Sequence, residues 1–287
     1  FSCAIDDALM HITHVFRAEE HLNNTLRQLM ILEALGLPFP KYGHLSIILG
    51  EDKQKLSKRH GATSCYEYHQ KGFLPEALNN FIALLGWSDP EDREILSMEQ
   101  LIESFSPDRL NPSSAVFDEK KLQWMNSVHL RALDHKELWS RVQPYLKAAG
   151  LELPDNEAWQ DQALSTFKSY METLADAVEL FRPLDNVSFQ IHDEAKEALS
   201  WESTPQVIQK WIDILETTSA NHLSEEDFNQ AQNQVKDECG VKGKHLFMPI
   251  RVAIIGKPHG AELKILVPLL SKQTLIERAK KAIQAIP

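Results

Sequence analysis

The fold class is decided by residues 45–61, where an apolar run leads into a basic turn: Leu45-Ser46-Ile47-Ile48-Leu49-Gly50-Glu51-Asp52-Lys53-Gln54-Lys55-Leu56-Ser57-Lys58-Arg59-His60-Gly61. The apolar run 45–49 predicts a strand. In the turn that follows, Lys55 and Lys58 can place two ammonium groups on one polyphosphate. A solvated basic loop has the same composition, so the rest of the chain has to decide between the two interpretations.

Strand and helix patterns alternate before this turn. Residues 1–60 have a strand-like start, a helix predicted over about 23–35 that ends at Gly36 and Pro38, and the strand 45–49. This alternation predicts the end of a parallel α/β sheet. Residues 61–130 are predicted to be helical, with helices that begin at Pro75, run around 97–105 and cover 118–125.

From Asp134 onward the pattern is almost wholly helical. Helices are predicted to begin at Asp134, Ser165, Thr204 and Ser224, and the first and last of these starts are close to capping boxes. The chain is therefore predicted to be mainly α, in four segments: 1–60, 61–130, 131–203 and 204–287.

The composition is that of an ordinary globular protein. Apolar residues make up 43% and charged residues 25% of the chain, and no apolar run approaches the roughly 20 residues of a membrane span. Cys3, Cys65 and Cys239 lie far apart without a C-x-x-C pair, which argues against a zinc knuckle and a disulfide scaffold. We expect reduced thiols in a cytoplasmic protein that has no membrane partner.

The net charge of −11 is a difficulty for any nucleic-acid ligand, because proteins that hold phosphate backbones usually have a basic surface. Basic side chains do cluster near the C-terminus, at Lys242, Lys244, His245, Arg251, Lys257 and His259. A local basic face on an acidic protein can still bind RNA.

Several motifs in a fixed order extend this interpretation over the whole chain. They are residues 5–25 with Gln28, the basic turn 55–61, 72–80, Gly86-Trp87, 115–118, 121–126, 241–244 and 246–253. Together they closely resemble the glutamyl-tRNA synthetase branch of the class I aminoacyl-tRNA synthetases, in which the basic turn is the K-M-S-K-S signature. Leu56 replaces the signature's Met with a side chain of similar volume.

The resemblance implies a fold and an activity. Residues 1–60 would be the end of a Rossmann-like α/β catalytic domain and 61–130 a stem-contact helical domain. Residues 131–203 and 204–287 would be the two subdomains of an all-helical anticodon-binding domain. The implied enzyme is a monomeric glutamate–tRNA ligase that uses ATP with Mg²⁺, L-glutamate and tRNA. No protein-bound metal is expected.

The same resemblance assigns roles in the active site. Lys55 and Lys58 would be catalytic, and Lys58 would stabilise the pyrophosphate. ATP would also contact three other residues: Glu20, Leu56 through its backbone, and Ser57. Arg17 would bind the side-chain carboxylate of glutamate, with Cys3 beside that pocket. From the residues alone, Arg17 could instead form an ion pair with Asp6, Asp7 or Glu19, and Cys3 could be a buried apolar thiol.

Anticodon recognition is where the chain departs from the family. Tyr170 stands where the family usually has an arginine that is tied to the third anticodon base, so charging of tRNA(Gln) as well as, or instead of, tRNA(Glu) becomes plausible. A misalignment by one or two residues, with Lys168 in the arginine's role, is the alternative. Arg251, Gly260 and Leu263 align with other anticodon contacts, and Lys242 and Lys244 would hold phosphates.

One family signature is missing from the chain. No His-x-Gly-His string occurs in it, and it begins at Phe1 within an apolar segment. We therefore expect the C-terminal portion of a synthetase, inactive by itself. Two alternatives stay open: a tRNA-binding module alone, and a helical interaction protein without an RNA ligand.

Overall fold

The computed structural model describes residues 1–57 and 64–287. These residues form two compact units, unit 1 over 1–132 and unit 2 over 133–287. Within the described ranges, no helix has the length and apolar character needed to cross a bilayer.

Unit 1 begins with a small α/β arrangement. Its elements are α1 (Ser2–Leu9), β1 (His14–Ala18), a 3₁₀ turn (Glu19–His21), α2 (Leu22–Ala34) and β2 (Lys41–Leu45). The two strands pair in parallel, with His14 opposite Lys41 and Arg17 opposite His44. The parallel pair joined by a helix is the unit expected at the end of a Rossmann-like sheet.

Two sequence-based predictions were wrong in this region. The strand-like start is the helix α1, and the strand predicted over 45–49 lies earlier, at Lys41–Leu45. The run 46–49 does not extend β2, because Leu49 instead exchanges backbone hydrogen bonds with residues 115–117, its N–H donating to Ala115 O at 2.9 Å. An apolar run can pair with a distant segment that periodicity cannot identify.

The rest of unit 1 is helical. Its helices are α3 (Cys65–Gln70), α4 (Pro75–Ala83), α5 (Met98–Ser104) and α6 (Glu119–Ala132). Pro75 is the first residue of α4, where a missing N–H costs nothing. Both α3 and α5 begin with capping boxes, at Ser64 and Ser97. A core that includes Tyr68, Phe81, Leu122 and Met125 joins α3, α4 and α6.

The two-stranded sheet leaves apolar surface exposed. Phe16 on β1 is 50% exposed, and Leu22, Leu26 and Met30 form an exposed row at helical spacing along α2. Parallel sheets are normally covered on both faces and contain more than two strands.

Unit 2 is formed by α7 (His135–Ala148), α8 (Glu157–Phe167), α9 (Asp176–Phe181), α10 (Lys196–Leu199), α11 (Thr204–Thr217), α12 (Glu225–Cys239), α13 (Lys244–Ile255), α14 (Leu263–Leu266) and α15 (Lys272–Gln284). Asp134 caps α7 by accepting from Glu137 N at 2.7 Å, and Ser224 forms a capping box with Asp227. The mainly α fold is confirmed.

The helix predicted to begin at Ser165 begins earlier, because Ser165 lies within α8, and the helical run is interrupted soon after it. A 3₁₀ turn (Lys168–Tyr170) follows α8, and a new helix begins at Asp176. The Asp176 carboxylate accepts the N–H groups of Glu172 and Thr173 at 2.9 and 2.8 Å, and so provides a local alternative to helical hydrogen bonds. This break directs Tyr170 to the surface.

Candidate substrate and RNA sites

The first candidate site lies at the carboxyl end of β1. Arg17 is near the end of that strand, and Glu20 is in the 3₁₀ turn that follows it. Ligands of open α/β sheets bind outside the carboxyl ends of the strands, so these side chains are in a suitable place for a substrate.

Arg17 is held by neutral groups. Its Nη2 donates to Thr25 Oγ1 at 2.5 Å, and its guanidinium lies 5.0 Å from the centroid of the Tyr42 ring. Its Nε is buried and has no partner among the described residues. Within those residues Arg17 makes no ion pair, so its positive charge is not neutralised by Asp6, Asp7 or Glu19.

Glu20 and Lys55 are brought together by the fold. Glu20 Oε2 accepts from Lys55 Nζ at 2.6 Å, across 35 residues of sequence. The hydrogen bond and the charge of Lys55 lower the pKa of the Glu20 carboxyl below its usual value. Both side chains are half exposed, so a phosphate group can reach the lysine.

A tight turn positions Lys55. Leu49 and Lys55 form an antiparallel bridge, and Leu56 N donates to Ile48 O at 2.9 Å. At the tip of the turn, Asp52 Oδ1 accepts from Gln54 N at 2.9 Å. Short-range hydrogen bonds therefore position the first half of the basic motif.

Other predicted residues of this site are placed differently. Lys58, with Arg59, His60 and Gly61, lies outside the described residues. Cys3 is exposed on α1 and its thiol is 3.6 Å from Asp7 Oδ2, so the alternative of a buried apolar thiol is wrong. Ser57 is exposed at the end of the described turn. Groups of three or more metal-ligating side chains do not occur in the described ranges.

The second candidate site is a cavity of about 620 Å³ in unit 2, large enough for a nucleobase with part of its sugar. Its walls come from the 3₁₀ turn after α8, from α9, from two loops, and from single residues of α14 and α15. The lining residues that could contact a bound base are Tyr170, Arg182, Phe189, His192, His259 and Gly260. Tyr170 is 62% exposed, so its ring is available for stacking.

Arg251 holds one wall of this cavity. Its Nη1 donates to the carbonyls of Gly260 and Ala261 at 3.2 and 2.7 Å. Burial lowers the pKa of its guanidinium. Arg251 is thus engaged with the loop, and the structure suits it to shaping the wall more than to reading a base. Leu263 is only 5% exposed, so its side chain packs inside the unit and does not reach the surface.

Arg278 is a wall residue that the sequence reasoning missed. It is 1% exposed, and its guanidinium donates to the carbonyls of Pro183, Asp185 and Ile254 at 2.8–2.9 Å. Burial lowers its pKa to about 10. A signal was present in the sequence, since Arg278 lies at helical spacing among apolar residues of α15. Arg182 was also missed, because only the fold brings it beside Tyr170.

Next to α13, basic and aromatic side chains form a small exposed group. Gly243 has φ +59° and begins the helix between Lys242 and Lys244, both of which are exposed. Lys244 Nζ lies 5.3 Å and the His245 ring 4.5 Å from the Trp201 ring centroid. Lys244 beside an aromatic ring, with the exposed Lys242 two residues before it, is suited to contact the RNA backbone.

Comparisons with known proteins are consistent along the chain. Residues 1–124 match the family of class I tRNA synthetases (E and Q), catalytic domain, and residues 137–283 match an anticodon binding domain. The glutamate–tRNA ligase of Bdellovibrio bacteriovorus is 55% identical over 286 residues, and that of Heliobacterium modesticaldum is 43% identical over 289. The chain spans 58% of the length of each of these relatives.

Solved structures give the same result. The chain aligns over its whole length with 60% of a glutamate tRNA ligase from Elizabethkingia meningosepticum in complex with its amino acid, with a TM-score of 0.81 and 25% identity. A glutamate–tRNA synthetase from Elizabethkingia anophelis aligns with 99% of the chain at a TM-score of 0.75.

Proposed function

The chain belongs to the glutamyl-tRNA synthetase family of class I aminoacyl-tRNA synthetases, and from that premise we propose that the protein which carries it is a glutamate–tRNA ligase. Its substrates would be ATP with Mg²⁺, L-glutamate and tRNA. The observation that carries the proposal is the contact between Glu20 and Lys55, together with an Arg17 that has no acidic partner among residues 1–57 and 64–287.

In this proposal each residue has a distinct task. The Arg17 guanidinium binds the side-chain carboxylate of glutamate, a geometry that suits its planar fork. The α-carboxylate attacks the α-phosphorus of ATP, the bond to the β-phosphate breaks, and pyrophosphate leaves. Lys55 and Lys58 stabilise the negative charge of that leaving group, while Glu20 holds Lys55 in place and the backbone of Leu56 and Ser57 contacts the nucleotide. Cys3 would lie beside the glutamate pocket. No protein nucleophile is required.

The second step transfers the amino acid. A terminal ribose hydroxyl of tRNA attacks the activated carbonyl of glutamate, AMP leaves, and glutamyl-tRNA is formed. Holding the two reactants in register accounts for much of the rate of such a step.

Unit 2 would bind the anticodon arm. We propose that the cavity receives a base beside Tyr170, that Arg251 and Gly260 shape the receiving loop with Leu263 packed beneath it, and that Lys242 and Lys244 contact phosphates. Because Tyr170 lacks a guanidinium's bidentate hydrogen bonds, acceptance of tRNA(Gln) together with tRNA(Glu) is part of this proposal. A monomer in the cytoplasm would suffice for these roles.

A second candidate function is tRNA binding alone. It is favoured by the open sheet of unit 1, where Phe16 and the apolar row of α2 are exposed and where the candidate ATP residues are covered by little protein. Catalysis by charge stabilisation requires exclusion of water, so this half-open site is suited to chemistry only when further structure covers it.

The test is aminoacylation by the full-length protein with labelled glutamate, on transcripts of tRNA(Glu) and tRNA(Gln), with glutamine and aspartate as control amino acids. We expect glutamate to be attached to at least one of the two tRNAs. Binding of tRNA without any transfer of glutamate would favour the binding module, and absence of both would overturn the proposal.

A further inference from the structure

We infer that Thr25, supported by His44, is a positioning residue that holds the Arg17 guanidinium in the orientation needed to select a carboxylate. The inference rests on the proposed function, in which Arg17 binds glutamate. It concerns residues to which neither the motifs nor the comparisons assign a task.

The Thr25 hydroxyl joins three elements at one point. Thr25 lies on α2, and its Oγ1 accepts from Arg17 Nη2 of β1 at 2.5 Å. The same oxygen is 2.8 Å from His44 Nε2 of β2 and 3.3 Å from His21 O. Thr25 is 6% exposed, so water does not compete for these contacts. The hydroxyl therefore ties the arginine to both neighbouring elements.

The direction of these hydrogen bonds follows from the chemistry of the groups. Arg17 can only donate, so Thr25 Oγ1 accepts from it and has a single proton left to donate. That proton is donated to His21 O at 3.3 Å, and the contact of Thr25 Oγ1 with His44 Nε2 at 2.8 Å takes its direction from the tautomer of the imidazole. The Thr25 oxygen is thus held by His21 O and by the His44 ring, and both contacts restrict the orientation in which it accepts from Arg17.

The hydrogen-bond partner of Arg17 is a neutral hydroxyl, and this neutrality indicates the role of the arginine. A partly buried structural arginine is usually matched by a carboxylate, because an unpaired charge that has lost part of its hydration is costly. Arg17 has a hydroxyl, the face of the Tyr42 ring and, within the described residues, no acidic partner. A carboxylate at position 25 would neutralise the charge, whereas a hydroxyl orients the guanidinium and leaves its charge for a ligand.

Other contacts restrict Arg17 to one geometry. The Tyr42 ring lies 5.0 Å from its guanidinium carbon, and burial raises the pKa of the Tyr42 phenol, which stays neutral. Arg17 Nε is enclosed by protein without a partner, and Thr25 fixes Nη2. A guanidinium fixed on two sides can distinguish a carboxylate from an amide, since only the carboxylate accepts at both oxygens.

The variants that test this inference are Thr25→Val, which removes the hydroxyl at nearly constant shape, and Thr25→Ser, which keeps it. Thr13→Val is the matched control, because Thr13 in the same unit has an exposed hydroxyl whose hydrogen-bond partner among the described residues is the neighbouring His14 ring. His44→Phe removes the ring nitrogen that contacts the Thr25 hydroxyl. All are made in the full-length protein, with thermal unfolding measured alongside.

We expect Thr25→Val to raise KM for glutamate about tenfold, the effect of one lost hydrogen bond to a charged group. Discrimination against glutamine should fall by a similar factor, with little change in KM for ATP. His44→Phe should act in the same direction to a smaller extent. Thr25→Ser should restore both quantities, and Thr13→Val should leave them unchanged.

A purely structural role would have a different signature. If Thr25 only packed, Thr25→Val would lower the melting temperature or the active fraction, and hence kcat, at unchanged KM and unchanged selectivity. That result in an active protein overturns the inference and leaves the proposed function intact. Failure of the unmodified protein to bind glutamate would overturn both.

Discussion

Lys55 and Lys58 have the same chemistry but differ in their surroundings. Lys55 is tied to Glu20 by an ion pair whose two side chains are exposed. Exposed pairs of this kind contribute little to stability, so the contact is better explained by positioning than by folding. Lys58 is separated from it by Leu56 and Ser57 and is proposed to approach the pyrophosphate.

Lys58→Ala should slow glutamyl-adenylate formation in the full-length protein by about 10²-fold or more, because loss of one preorganised charge in the transition state costs roughly 3–4 kcal/mol. The affinity for tRNA should barely change. Pyrophosphate exchange and filter binding measure the two quantities, and Lys41→Ala, on an exposed strand residue of the same unit, is the control. Weaker tRNA binding with unchanged exchange would instead make the turn an RNA contact.

Tyr170 is the residue on which tRNA choice is expected to depend. Its exposed ring can stack on a base but cannot make a bidentate hydrogen bond. Tyr170→Arg should shift the ratio of kcat/KM for tRNA(Glu) over tRNA(Gln) upward, by about 1–3 kcal/mol in free energy if the guanidinium reaches the base edge.

Tyr170→Phe is the matched control, since it keeps the ring and should keep the ratio. Arg182 lines the same cavity and forms an ion pair with Glu179 at 3.0 Å, so a second guanidinium is already near Tyr170. An unchanged ratio in Tyr170→Arg would mean that the base is not read at this position.

At the scale of structural elements, one buried carboxylate stabilises the loop between α4 and α5. Asp89 is 1% exposed and accepts from the backbone N–H groups of Glu91 and Arg93 at 3.0 and 3.1 Å. The Arg93 side chain donates to both of its oxygens at 2.9 Å. Arg93 first, and then these backbone donors, hold the pKa of Asp89 well below its usual range.

A depressed pKa gives a definite dependence of stability on pH. The carboxylate's contribution is fully present above the ordinary aspartate pKa of about 3.9 and is lost only as the pH falls through the lower folded value. Asp89→Asn should therefore lower the free energy of unfolding by the same amount at pH 7 and pH 5, and by less below about pH 3.5.

Urea unfolding at each pH measures this difference. Asp92→Asn is the control, because Asp92 is exposed on the same loop and its φ of +56° is readily adopted by Asn. If the difference between Asp89→Asn and the unmodified protein shrank already between pH 7 and 5, the Arg93 contact would not be what stabilises the ionised form.

At the scale of the whole molecule, the two units differ in how much of their apolar surface is buried. Unit 2 has an apolar interior with Trp211, Phe167 and Phe181 fully buried. Unit 1 has a second apolar surface on its parallel strands and α2 that remains exposed. Extended exposed apolar surface is typical of faces that other protein covers.

We accordingly expect the 287-residue chain to bind tRNA but not to exchange pyrophosphate into ATP in the presence of glutamate. The charged side chains of its candidate ATP site are open to water, which weakens their effect on a developing charge. Gel-shift and exchange assays on the same sample measure both activities. Glutamate- and tRNA-dependent exchange by this chain would show that the site is catalytically sufficient.

A complementary control adds a second polypeptide that could cover the exposed apolar surface of unit 1. The part of the Bdellovibrio bacteriovorus relative that lies outside the matched region can be mixed with the chain. Exchange restored by this mixture, and abolished by Lys58→Ala, would attribute the deficit to the open face. If exchange stays absent although the two polypeptides associate, exposure is not the cause.

Local patterns in the sequence were enough for many elements. The helix predicted over 23–35 is observed at 22–34, Pro75 begins a helix, and Asp134 and Ser224 cap the helices that follow them. These features depend on the spacing of apolar residues and on hydrogen bonds within four residues, and both can be read along the chain. The family assignment came from ordered motifs and is confirmed by the comparisons.

Tertiary structure alone decided the rest, for a common physical reason. Leu49 pairs with residues 115–117, and Arg278 is buried against carbonyls 24 or more residues away. The contacts of Arg17 with Thr25 and of Glu20 with Lys55 also depend on which elements become neighbours. The sequence by itself determined helical content, caps and family. Only the tertiary fold determined which polar groups are buried and which of them pair through hydrogen bonds. Both depend on long-range packing and not on local spacing along the sequence.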